Sequence, residues 1–89
     1  MWDWDEDKRQ TNHAKHGVDF ALVEEFDWLS AVIRVDDRFD YGEVRLKAEG
    51  LIAGRLFAVV YTERGLTKRI INLRKANKRE VLKWISQKK

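Results

Sequence analysis

From residue 31 onward the apolar positions recur every second residue. Ala31, Ile33 and Val35 alternate with Val32, Arg34 and Asp36, which predicts a first strand. After a polar loop over residues 36–42, Val44, Leu46 and Ala48 alternate with Glu43, Arg45, Lys47 and Glu49, as in a half-exposed antiparallel strand. Ala53-Gly54 turns the chain into a third strand over 55–62, whose run from Leu56 to Tyr61 reads as the most buried. Glu63-Arg64-Gly65 turns it again, with Gly65 free to take a positive φ, into a fourth strand over 68–74.

On either side of this stretch the pattern is helical. Residues 3–15 predict a first helix, with Asp3, Asp5, Glu6 and Asp7 crowding its start and Lys15 and His16 its end, a polarity that suits the helix dipole. Gly17 is placed to close it in the left-handed conformation. Residues 19–29 predict a second helix, capped by Asp19 and burying Phe20, Val23 and Phe26. Asn77 and Glu80 form a capping-box pattern that opens a final helix carrying Val81, Leu82, Trp84 and Ile85 on one side, with Lys88 and Lys89 at its end. The expected fold class is α+β: two N-terminal helices, a four-stranded antiparallel sheet and a C-terminal helix in a single domain over residues 1–89.

Composition narrows the chemistry. Without cysteine there is neither a disulfide nor a thiolate nucleophile or metal ligand. The acidic start and the short apolar runs argue against a signal peptide and against a membrane span, which needs about 20 apolar residues, so a soluble cytoplasmic protein is expected. The net charge of +3 conceals an asymmetry. Residues 1–27 are rich in Asp and Glu, whereas from Arg64 onward Glu80 is the sole acid among the lysines and arginines. Two different partner surfaces would account for this, as would neutralisation of one half by the other within the fold.

Strand alternation indicates which charges can meet. If the charged strand faces align, Glu43, Arg45 and Arg74 form a basic cleft with one carboxylate, bordered by Tyr61. Two guanidiniums suit a phosphodiester and the charge that develops on it, and a carboxylate can act as base on a ribose 2′-OH. The competing reading is a solvated face whose cross-strand ion pairs contribute under about 1 kcal/mol each. His16 has an ordinary pKa near neutral, yet a cation in the last helical turn before a Gly cap is expected for structural reasons alone. Trp84, at helical spacing with Val81 and Ile85, is expected in the core rather than as a stacking surface for a base, and Trp2 and Trp4 as packing residues. No spacing of His and carboxylates supports a metal site.

The segments Trp4-Asp5, Lys8, Asn12, Lys15-His16-Gly17-Val18, Phe20 and Phe26-Asp27, then Gly42-Glu43-Val44-Arg45, then Gly54-Arg55-Leu56 and Val59-Val60-Tyr61-Thr62-Glu63-Arg64-Gly65, then Arg69-Ile70-Ile71-Asn72-Leu73-Arg74-Lys75-Ala76 and Glu80, resemble in order the BrnT family of type II toxins. The resemblance implies a RelE-like fold and a metal-independent endoribonuclease, without cofactor, that arrests translation. It also implies a BrnA-type antitoxin whose ribbon-helix-helix dimer binds operator DNA. Carried onto matching positions, it makes Arg45 and Arg74 binders of the phosphate and transition state and Glu43 a base or orienting group. Tyr61 then joins the catalytic set, and Arg64 and Lys75 are RNA-binding cations; Lys47, which shares the strand face of Glu43 and Arg45, is expected to bind RNA beside them. The sequence departs from the family pattern at Val44, where a second acid is usual, at Asn72, where a serine is common, and at Trp84, where a tyrosine is often seen. The expected reaction is attack of the 2′-OH on the adjacent phosphate, leaving a 2′,3′-cyclic phosphate or 3′-phosphate end. The alternative is a non-catalytic nucleic-acid or partner-binding module on the same fold.

Overall fold

The computed structural model describes residues 1–37, 40 and 42–88. Arg38, Phe39 and Tyr41 of the expected 36–42 loop, and Lys89 at the expected helix end, lie outside the described residues. The elements run β1 (Trp2–Trp4), α1 (Glu6–His16), a 3₁₀ helix (Phe20–Glu25), β2 (Asp27–Val35), β3 (Leu46–Ile52), β4 (Arg55–Arg64), β5 (Thr67–Lys75) and α2 (Lys78–Lys88). The described strands form one sheet in the order β1-β5-β4-β3-β2. The α+β class holds, and three boundaries are corrected.

First, the chain starts as a strand and not as helix. Trp2 to Trp4 pairs in parallel with Lys68 to Ile70 of β5. Aromatic residues favour the pleated state. The Trp2 indole stacks on Trp28 with centroids 5.7 Å apart, while Asp3 reaches Arg69 at 3.7 Å. Helix begins only after Asp5, whose carboxylate accepts from the Lys8 N–H. Second, the expected helix over 19–29 is a 3₁₀ helix of six residues. Phe20 and Val23, both buried, are three apart, which suits three residues per turn. β2 takes over at Asp27 and brings Phe26 and Trp28 together at 4.7 Å. Third, β3 begins at Leu46, so Glu43 and Val44 precede the sheet.

One side of the sheet holds the core. Val59 and Tyr61 of β4, Ala48 of β3 and Ile70 and Leu73 of β5 meet Val18, Phe20, Val23 and Phe26 there. Gly50 admits the Phe26 ring, since a Cβ at that position would stand 2.6 Å from its Cζ. Ile70 and Leu73 both belong to the core although three residues separate them. A bulge explains this: Tyr61 pairs with Ile70 and Val60 with Asn72, so Ile71 is an extra residue that reverses the alternation beyond it. Asn72 and Arg74 therefore face away from the core, whereas unbroken alternation would put them on the face of Ile70.

β1 ends at Trp4, leaving the edge of β5 without a strand partner beyond Ile70. Asn12 of α1 takes that place. Its Nδ2 donates to the Leu73 carbonyl at 2.7 Å and the Val18 carbonyl at 3.0 Å. Its Oδ1 accepts from the Leu73 N–H and from Asn72 Nδ2, both at 3.2 Å. All four bonding positions of the amide are used, inside the protein. Asn12→Ala is expected to lower the unfolding free energy by about 3 kcal/mol, because it orphans buried backbone groups. Asn12→Asp should do nearly as much, since a carboxylate cannot donate to either carbonyl. Urea unfolding checks both, and a loss below about 0.5 kcal/mol would refute this role.

α2 lies across the other side of the sheet and buries no residue fully. Trp84, expected in the core, sits half-buried and fastens the helix by donating its indole N–H to the Ser30 carbonyl at 3.0 Å. Leu82 and Ile85 are exposed. No helix among the described residues is long and apolar enough to cross a membrane.

Candidate nucleic-acid interface

The side of the sheet away from the core carries a row of Lys47, Val60 and Asn72, in register across β3, β4 and β5. Val60, the smallest of the three in reach, forms a floor between two polar walls. Arg74 follows Asn72 on the same face two residues along β5. Arg45 stands just before β3, where its carbonyl accepts from the Asp36 N–H at 2.8 Å. α1 runs over the β5 edge and ends at Gly17, at φ 69°, whose N–H bonds to the His13 carbonyl. That abrupt end delivers Lys15 and His16 to the rim. The resulting cavity, about 320 Å³, is lined by Lys15, His16, Asp36, Arg45, Lys47, Val60, Ile71, Asn72 and Arg74.

Its charge is strongly positive but not unopposed. Glu80 of α2 accepts two bonds from the Arg74 guanidinium, at 2.7 and 2.9 Å, and one from Lys47 Nζ at 2.9 Å. The same carboxylate accepts from the Asn77 N–H at 2.9 Å, while the Glu80 N–H donates to Asn77 Oδ1 at 2.8 Å. The expected capping box is present, and its glutamate also clamps two cations of the cavity. The Arg74 hydrogen bonds, opposed by burial and helped by Lys47 and the Asn77 N–H, hold the Glu80 carboxyl far below the usual carboxylate range.

A depressed folded-state pKa stabilises the fold above the unfolded value of about 4.5, and the contribution drains away as pH falls through the folded value. Glu80→Gln is therefore expected to be less stable than the parent by a margin that is widest at neutral pH and narrows below about pH 4.5. Urea melts across that range measure it, and a margin independent of pH would contradict the clamp.

His16 lies half-buried at the edge, with Nε2 3.5 Å from Asn72 Nδ2. Burial first, then the charges of Lys15 and Arg74, push its pKa below the ordinary 6.5. This downward shift favours the neutral imidazole, the form able to accept a proton.

Of the residues singled out from sequence, Arg45, Lys47 and Arg74 converge. Glu43 does not line the cavity: its Oε2 faces Arg64 Nη2 at 3.5 Å in a separate hollow beside Val44 and Thr62, and its Oε1 stands 4.0 Å from Arg45 Nε. Tyr61 does not border the cavity, which corrects its expected place there. Odd positions of β4 face the core, so its ring is buried edge-on to Trp2 and Trp28, with centroids 5.6 and 5.8 Å away. Burial, followed by Glu63, raises its pKa. Arg64 and Lys75 are exposed at the ends of β4 and β5, outside the cavity lining. Sequence reasoning missed the clamp made by Glu80 and the role of Asn12. The capping-box spacing marked Glu80 as structural, and nothing local marked it as a partner of Lys47. Among the described residues no three His, Cys, Asp or Glu side chains are grouped to hold a metal ion.

No curated protein matches the chain. A family model described as "Ribonuclease toxin, BrnT, of type II toxin-antitoxin system" matches residues 4–80. That span runs from the last residue of β1 through α1 and β2 to β5 and ends at Glu80, and so contains every residue that lines the cavity. The chain belongs to the BrnT family of type II toxin–antitoxin ribonuclease toxins.

Proposed function

We propose that this protein is an endoribonuclease that arrests translation by cutting RNA through 2′-OH attack on the adjacent phosphate. The convergence of Arg45, Lys47 and Arg74 with a His16 of lowered pKa on one cavity carries this reading. The cations bind the phosphate and offset the charge that builds on its oxygens in the transition state. His16 accepts the 2′-OH proton, and the 5′-oxygen leaves from the opposite side of the phosphorus, taking up a proton from solvent water to become a hydroxyl. The products are a 2′,3′-cyclic phosphate, open to hydrolysis to a 3′-phosphate, and a 5′-hydroxyl. Glu43 and Tyr61 take no direct part, because one faces Arg64 and the other the core. Arg64 and Lys75 steer the polyanion from outside the cavity.

No step requires a metal or cofactor. A BrnA-type antitoxin, a ribbon-helix-helix protein that binds operator DNA, neutralises the toxin. Incubation of the purified protein with RNA in EDTA, followed by mapping of the ends, tests the reaction. New 2′,3′-cyclic or 3′-phosphate ends are expected. Salt-sensitive binding that leaves the RNA intact would overturn catalysis in favour of a binding module.

A further inference from the structure

A second hollow, about 310 Å³, opens beside the basic cavity and shares Lys15, His16, Ile71 and Asn72 with it. We infer that this hollow is a nucleobase subsite, which receives the base of a nucleotide next to the phosphate held by Arg45, Lys47 and Arg74. The inference rests on the RNA-cleaving reading above and adds base selection to it.

Three observations carry it. The first is adjacency: the two hollows meet along one wall, so a nucleotide can place its phosphate in one and its base in the other. The second is charge. The basic cavity gathers Lys15, His16, Arg45, Lys47 and Arg74 against Asp36, whereas Asp7 and Lys8 offset each other on the far side of the second hollow. A phosphate gains most in the former, and a neutral base is better suited to the latter.

The third is the supply of bonding groups. Asn12 is saturated by the backbone, and because its Oδ1 needs a donor, the Asn72 amide must turn its nitrogen inward. Asn72 Oδ1, the Thr11 hydroxyl, the Asp7 carboxylate and the Lys8 ammonium make no hydrogen bond with any described residue. They offer donors and acceptors to a base edge. Ile71, turned to this side by the bulge, gives an apolar surface for the flat ring. Recognition of splayed-out bases in single-stranded RNA uses this combination of an apolar face and edge contacts.

The test uses uncleavable 2′-O-methyl homopolymers of A, C, G and U, with an abasic strand of the same length, each titrated at one fixed salt concentration. The parent should bind at least one homopolymer about tenfold more tightly than the abasic strand. Thr11→Leu, which fills the hollow from an exposed helix position, should erase that advantage while leaving abasic affinity unchanged. Asp7→Asn should reorder the four homopolymers beyond the uniform gain that loss of its charge gives every strand, the abasic one included. Equal binding of abasic and base-bearing strands by the parent would overturn the subsite, as would parallel loss of both in Thr11→Leu. Absence of salt-sensitive binding to any strand would overturn the RNA reading itself, and the subsite with it.

Discussion

Arg74→Ala is expected to lose RNA cleavage by about 10²–10³-fold while the protein still folds. Arg74 lies between the cavity and Glu80, and its planar fork suits both a carboxylate and a phosphate. Truncation removes a cation from the place where negative charge develops and leaves Glu80 with Lys47 and the Asn77 N–H as partners. A loss of about 2 kcal/mol in stability should accompany the loss of activity. The double variant Arg74→Ala/Glu80→Gln separates the two effects. It removes the under-compensated carboxylate and should regain part of the stability without regaining cleavage. Arg74→Lys should fall between parent and Arg74→Ala, since a point charge cannot make the two parallel bonds. Cleavage rates with thermal melts on the same preparations decide the matter. A folded Arg74→Ala protein with the parent's rate would remove this cavity from consideration as the site of reaction.

His16→Gln should lower the rate by about 10²–10⁴-fold, the range for loss of a positioned acid–base group. Glutamine preserves a polar contact with Asn72 but cannot take up the 2′-OH proton. The pH profile gives a readout that a packing role would not move. Lys15, Arg74, Arg45 and Lys47 surround His16 with positive charge, Asp36 supplies the opposing charge, and Asn72 is neutral. Because burial, Lys15 and Arg74 depress its pKa, the imidazole is protonated, and so inactive as a base, only below the ordinary 6.5. The acid limb of kcat/KM should therefore lie below pH 6.5. Lys15→Gln should move that limb upward, toward the ordinary value. A limb that stays in place in Lys15→Gln, or survives in His16→Gln, would assign the proton transfer to another group.

The clamp on Arg74 and Lys47 bears on both experiments. At the proposed site a phosphate would have to compete with Glu80 for the same N–H groups of Arg74 and Lys47, which the carboxylate holds in position. α2, fixed by Glu80, Trp84 and a few polar contacts and without a fully buried residue, is the element through which that competition would be felt.

What the sequence by itself determined is local. Period-two alternation located β3, β4 and β5 to within a few residues. The Gly17 stop, the Asn77–Glu80 capping box and the turn at Gly54 follow from chemistry between near neighbours. The grouping of Arg45 with Arg74 was legible because the residues around them carry both strand periodicity and the family pattern. Other features were decided only by the tertiary structure. Trp2 to Trp4 becomes a strand because an open β5 edge and the Trp28 ring, each distant in sequence, reward it more than helix does. The bulge at Ile71 depends on pairing with β4, and it reverses which side chains face the cavity. Tyr61 is withdrawn into the core by the same parity that brings Val60 to the floor. Asn12 completes a strand edge 61 residues away, and Glu80 reaches Lys47 across 33. Local propensity cannot encode such contacts, because their free energy arises only when folding brings the partners together and removes water from between them.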